Sequence, residues 1–189
     1  MLSLDHNRRS PVIYTTYQMY LKQSPHRLEV DLARANQKGL VFAAKVVRGA
    51  YMQHEREEAT KRGEEDPIWP SIEATHAAYD ASVSFVLREI SKGVDAHVML
   101  ATHNEDSITK AIAMVANEGI DHRRVSFGQL YGMKDYITFA LGSGGFQSYK
   151  YGDFANIPIC SCYRVGWCPT VRSSRFSRTW CVVLRRTRT

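Results

Sequence analysis

Short apolar runs alternate with longer amphipathic stretches across the first 151 residues, with very little sequence between them. This constrains the fold more than any other feature of the chain. VIYTTY (12–17) has the composition of a strand. Ser24-Pro25 then opens a helix that carries Leu28, Leu32 and Ala35 on one face and stops at Gly39. LVFAAKVV (40–47) is a second strand, and a charged helix over about 53–62 ends at Gly63. After the loop EEDPIWP, a helix over 71–91 places Ile72, Tyr79, Val83, Val86, Leu87 and Ile90 at helical spacing, closed by Gly93. AHVMLA (96–101) is strand three, and Asn104 caps a helix with Ile108, Ile112 and Val115 on its apolar face. RVSFGQL (124–130), a short helix over 134–141 and FQSYKY (146–151) complete the series. Strands alternating with helices across short loops mean a parallel α/β architecture. An open doubly wound sheet and a (β/α)8 barrel both satisfy it. A barrel needs about 250 residues and eight strands, so five strands amount to just over half of one.

Composition divides the chain near Tyr151. The sequence of 189 residues carries a net charge of +6, yet residues 1–151 are neutral. Residues 152–189 hold seven Arg, no Lys and one acid, Asp153, together with all four cysteines, Cys160, Cys162, Cys168 and Cys181. No apolar run approaches the roughly 18–20 residues of a membrane helix. MLSLDHNRRSP has neither the h-region of a secretory signal nor a convincing transit-peptide pattern.

In parallel β/α folds the working residues lie at the carboxyl ends of the strands. Those ends supply Gln18; Arg48, Gly49, Ala50 and Tyr51; Thr102, His103 and Asn104; Gln129, Leu130, Tyr131 and Gly132; and Tyr149 and Lys150. The set is polar and aromatic, without the converging carboxylates a hard metal wants. No GxSxG elbow, GxGxxG or GxxxxGK[ST] loop is present, and no cysteine lies outside the tail. His103 is either a ligand contact or a hydrogen-bonded turn residue. LGSGGF (141–146) is a turn before a strand. HEREEATKRGEED (54–66) is a solvated helix face with i,i+4 pairs. KVVRGAY (45–51) is the most specific stretch. Gly49 and Ala50 remove bulk where the chain leaves the sheet, so either a tight turn needs the space or something flat lies against the backbone. With Lys45 and Arg48 beside them, the surface is flat and cationic, and suits a planar cofactor whose reduced form is anionic.

Several long motifs resemble the mitochondrial proline dehydrogenase family in its order and spacing. They are TYQMYL (16–21), AKVVRGAYM (44–52), DPI…EATHAAY (66–79), ATHNED (101–106), FGQLYGM (127–133) and SYKY (148–151). The resemblance covers residues 11–151 and implies a distorted (β/α)8 TIM-type barrel, of which this chain holds about the last five strands. It implies FAD at the strand ends and oxidation of L-proline to Δ1-pyrroline-5-carboxylate. Hydride would pass from the ring carbon neighbouring the nitrogen to the flavin, and electrons onward to a quinone. A mitochondrial location (matrix or inner membrane), peripheral membrane association and no nucleic-acid partner follow from the same family. Carried over by motif, Gln18, Lys45, Val47, Arg48, Gly49, Thr102 and His103 contact FAD, with Lys45 as the cation near its reactive edge. Tyr51, Leu130 and Tyr149 shape the pocket over the proline ring and, with Lys45, form the catalytic set. A branch acting on hydroxyproline shares these motifs.

After SYKY the family continues with a Pro-Tyr-Gly turn and an Arg-Arg…Glu-Asn helix whose arginines grip the substrate carboxylate. Here the sequence becomes GDFANIPICSCYRVGWCPTVRSSRF; Arg164 stands alone, and LRRTRT (184–189) has the basic pair without its context. Residues 1–151 are therefore expected to be the C-terminal part of the FAD-binding barrel, and 152–189 a divergent basic tail. A shifted reading frame or retained intron explains the tail. A basic arm for nucleic acid or anionic lipid is a second reading, making the chain a non-catalytic interaction protein. A cysteine metal site is a third, although C-x-C-x5-C-x12-C fits no standard zinc spacing. The expectation for the chain as written is an incomplete barrel that does not oxidise proline.

Overall fold

The computed structural model describes residues 6–151 and the backbone of 163–164 and 182–183. Five parallel strands, β1 (Ile13–Gln18), β2 (Phe42–Val47), β3 (Ala96–Ala101), β4 (Val125–Leu130) and β5 (Gln147–Tyr151), alternate with helices. The helices are α1 (Ser24–Gln37), α2 (Met52–Arg62), α3 (Ile72–Ser91), α4 (Glu105–Asn117) and α5 (Asp135–Ser143). Two two-residue strands, β6 (Tyr163–Arg164) and β7 (Val182–Val183), run antiparallel along the outer edges of β5 and β1.

The strand order, β6-β5-β4-β3-β2-β1-β7, is sequential through the five parallel strands. A doubly wound sheet reverses its order at a switch point, with helices on both faces. Here Leu28 and Leu32 of α1, Tyr79 and Leu87 of α3, Ile108 of α4 and Ile137 of α5 share one core with Phe42, Val46, Val98, Leu100 and Phe127. These helices thus cover the same face. Sequential order with one-sided cover is the wall of a barrel, which decides between the two architectures the sequence allowed.

Local chemistry sets the element ends. Ser71 caps α3 by accepting from the Ala74 amide, and Asn104 caps α4 by accepting from the Ser107 amide. Gly63 ends α2 in the left-handed region. The spacing of α3 predicted the buried Tyr79, Val83, Val86, Leu87 and Ile90. Ile72 departs from it and is 65% exposed, because the first turn follows exposed Pro70 and Ser71 and has no core beneath it. Helix α2 contributes nothing to the main core. Its ion pairs include Lys61–Glu58 at i,i+3, and Arg56–Asp66 and Arg62–Glu64 beyond the helix, while side chains at i,i+4 meet in the Gln53–Glu57 hydrogen bond. The loop before α3 is tied to the end of β1: Trp69 donates through Nε1 to the Met19 carbonyl, and Leu21 bridges Ile68.

Candidate functional site

The face of the sheet turned away from the helices carries the alternate residues of each strand. Its register brings the predicted residues together. Gln18 pairs with Val47, Val47 with Ala101, Ala101 with Gly128, and Gly128 with Tyr149, making one continuous rung across all five strands. One layer below run Thr16, Lys45, Met99, Ser126 and Gln147. Gln18, Lys45, Val47 and Tyr149 therefore share a face and two adjacent layers. Ala101 and Gly128 lower the middle of the upper rung into a trough flanked by larger side chains.

Tyr151 lies over that trough. A Cβ at Gly128 would come within 2.5 Å of the Tyr151 ring, so only glycine lets the ring settle there. The Lys45 ammonium stands 4.1 Å from the centre of the same ring, and the Tyr151 hydroxyl reaches the Met99 sulfur. Sequence reasoning chose Tyr149 and passed over Tyr151, although both lie in SYKY. Their spacing of two puts both on one strand face, and that was the signal available. The Tyr149 hydroxyl donates to Gln147 on its own strand.

Above the rung, at the strand ends, Arg48 is held from three sides. Its Nε donates to His76 Nδ1 at 2.8 Å, Nη1 to Thr102 Oγ1 at 2.7 Å and Nη2 to Ser107 Oγ at 2.9 Å. The guanidinium carbon sits 4.2 Å from the centre of the Tyr79 ring. Ser107 in turn donates to Asp80, which also receives Lys110 at 2.7 Å. Burial lowers the Arg48 pKa, opposed by Tyr79 and Asp80, yet a guanidinium keeps its charge. Burial also works to raise the Asp80 pKa, but the hydrogen bonds from Lys110 and Ser107 outweigh it and leave the carboxyl below its ordinary value. Arg48 has five N–H donors. With three bonded inside the protein, the count leaves one on each terminal nitrogen.

Thr102 is buried and accepts from both Arg48 and the Asn104 amide, which locks its rotamer. His103 accepts the Leu130 amide on Nε2 at 2.9 Å and ties the end of β3 to the end of β4. That bond requires a neutral ring with its proton on Nδ1. Burial, then the charges of Lys150 and Lys134, lower the His103 pKa and favour the same state. Leu130 and Tyr51 are about half exposed at the rim, where Tyr51 begins α2. Lys150, also read as a strand-end residue, points the other way. It is buried beside the start of α5, where it donates to the Met133 carbonyl and pairs with Asp135.

Gly49 answers the question raised by KVVRGAY. Its φ is 129°, and a Cβ there would fall 1.4 Å from the Tyr20 ring. The flat group against this backbone is the Tyr20 ring of the chain itself. His76, Ser107 and Tyr20 also escaped the sequence reading, because their partners are 28 or more residues away along the chain. The calls on Cys160, Cys162, Cys168, Cys181 and 184–189 lie outside the described residues, as does the side chain of Arg164. Among the described residues no helix is long and apolar enough to cross a membrane, and no three His, Cys, Asp or Glu side chains converge as a metal site.

Comparison with known proteins agrees with this geometry. The sequence profile described as Proline dehydrogenase matches residues 1–162. Proline dehydrogenase 1, mitochondrial, of Homo sapiens is 45% identical over 148 residues, covering 77% of this chain and 24% of the relative. Hydroxyproline dehydrogenase of Bos taurus is 43% identical over 142 residues, covering 74% of this chain and 31% of the relative. The chain thus spans about a quarter to a third of the length of these curated relatives. Among solved structures, proline utilization A from Bdellovibrio bacteriovorus inactivated by N-propargylglycine superposes with a TM-score of 0.66 at 24% identity. It covers 72% of this chain and 14% of that one, and shows the shared fold. With the profile spanning most of its length, the chain belongs to the proline dehydrogenase family.

Proposed function

We propose that this chain forms the flavin-facing wall of an enzyme that oxidises a cyclic secondary amino acid, L-proline first. The carrying observation is the rung Gln18–Val47–Ala101–Gly128–Tyr149, with Lys45 beneath it and Arg48 fixed above it. The donor set fits FAD. The Tyr151 ring lying over Gly128 shows that the small-residue trough takes a planar ring, and FAD would occupy it in place of that ring, flanked by two cations without a neighbouring carboxylate on the same rungs. Bound FAD would supply the two-electron acceptor for the hydride leaving the substrate.

The residues of this chain supply position and charge. Arg48 directs its two remaining donors from a frame set by Thr102, Ser107 and His76. Lys45 keeps a positive charge at the centre of the face, where negative charge on a reduced ring would be stabilised. Gln18, Val47, Gly49, Thr102 and His103 complete the cofactor surface. Tyr51, Leu130 and Tyr149 form the apolar rim against which a proline ring would be oriented and shielded from water. Tyr151 belongs with them, because its ring contacts Lys45 directly. The electron acceptor would be a quinone, met by peripheral association with the mitochondrial inner membrane. The names of the human and fly relatives support the compartment.

The relatives named for hydroxyproline match nearly as well as those named for proline, so both substrates belong in the test. The purified chain is titrated with FAD, and then offered L-proline and hydroxyproline with a dye acceptor. Saturable flavin binding that Lys45→Met and Arg48→Ala each weaken at least about tenfold supports the reading. Equal binding by all three proteins rejects it. The profile match ends at residue 162, and the tail beyond it, the greater part of 152–189, is proposed to be foreign to the family, from a shifted frame or retained intron. Sequencing the transcript across the codons for 145–189 tests this, and a frame restoring Arg-Arg-x-x-Glu-Asn after Tyr149 would support it.

A further inference from the structure

Resting on the flavin-site reading, we infer that His76 is the positioning residue for Arg48: its imidazole accepts the Nε–H and fixes the guanidinium at the cofactor site. The geometry is specific. Arg48 Nε–H points at Nδ1 of His76 at 2.8 Å, which requires a lone pair on that nitrogen. Thr102 and Ser107 hold the two terminal nitrogens, but both are hydroxyls that also accept or donate elsewhere. His76 is the partner that sets the rotation of the guanidinium plane about its long axis. With it in place, the plane lies against the Tyr79 ring.

Without the imidazole, the Arg48 Nε–H loses its acceptor. The charged and titratable groups around this cluster are Arg48 from the end of β2, Glu73, Tyr79 and Asp80 from the helix of His76, and Lys110 from α4. Asp80 is already bonded to Ser107 and Lys110. Loss of the acceptor therefore loosens Arg48, and the affinity for FAD should fall with it.

Asparagine is the discriminating substitution, since its Oδ1 occupies the place of Nδ1 and accepts the same hydrogen bond. FAD affinity of the full chain is measured for the parent, His76→Asn, His76→Ala and His76→Leu. His76→Asn should remain within about twofold of the parent, while His76→Ala and His76→Leu, which lack the acceptor, should each be weaker about tenfold. Parent-like affinity in His76→Ala or His76→Leu, or a loss in His76→Asn as large as theirs, overturns the inference. Should His76→Ala fail to fold, the comparison of His76→Asn with His76→Leu carries the test.

A second readout needs no flavin. The Arg48 Nε–H proton is followed by NMR in the unliganded chain, and assigned by its absence in Arg48→Lys. It should be protected in the parent and in His76→Asn, and unprotected in His76→Ala. If no variant binds FAD, the flavin-site reading fails while this signal still judges His76. Protection of the proton in His76→Ala would overturn the positioning role.

Discussion

Arg48 shows how one side chain becomes useful by being restrained. A solvated arginine samples many rotamers, and ordering it on a ligand costs conformational entropy. Here Thr102, Ser107, His76 and the Tyr79 ring meet that cost within the fold. Asp80 stands behind them, and its lowered pKa has a stability consequence. A carboxyl held below its unfolded value stabilises the fold above the unfolded pKa, and that contribution is lost as pH falls through the carboxylate range. The chain should lose stability on acidification through this range, and Asp80→Asn should flatten that part of the profile in urea melts. Gly49 gives a second prediction at this scale. Gly49→Ala combines a φ of 129° with a collision against Tyr20, and should cost about 3 kcal/mol or more. Chemical denaturation at neutral pH measures it directly. Arg48, Gly49 and Thr102 could be picked out from their place at strand ends, whereas Val47 was named only through the motif. The anchoring of Arg48 was not legible, since contacts between residues 28 to 59 positions apart leave no periodic trace.

At the scale of elements, the sequence pattern was a good guide wherever local physics decides. The β3 boundaries matched, and Asn104 caps α4 as its position implied, because a cap needs only an acceptor beside free amides. Ser71→Ala and Asn104→Ala should each cost about 1 kcal/mol, measured as shifts in the urea midpoint at unchanged slope. Pattern failed at Ile72, where helical spacing is correct but the first turn has no core beneath it. It also missed the short edge strands β6 and β7. Two residues of Tyr-Arg or Val-Val carry no alternation from which a strand could be read. The trough formed by Ala101 and Gly128 was equally illegible, since it exists only once register aligns residues 27 positions apart.

For the whole molecule, sequential order and one-sided helix cover make the described sheet a barrel wall. The strand order is linear, and β6 and β7 cover only Tyr149–Lys150 and Ile13–Tyr14 on the outer edges. Strand edges that stay uncovered invite association. A polypeptide of these 189 residues alone should therefore self-associate as its concentration rises and show no measurable proline-dependent dye reduction. Light scattering and a steady-state assay check the two outcomes, and turnover would reject the second. Flavin binding would need less than turnover, because the proposed surface lies on the five parallel strands and the turns that follow them. The most direct measurement is the absorbance and fluorescence titration of the freshly purified chain with FAD, beside Arg48→Ala. Saturable binding with a perturbed flavin spectrum, lost or weakened at least about tenfold in the variant, is the predicted result. Absence of saturable binding, or equal binding by the two proteins, would contradict the placement of a flavin site on this wall.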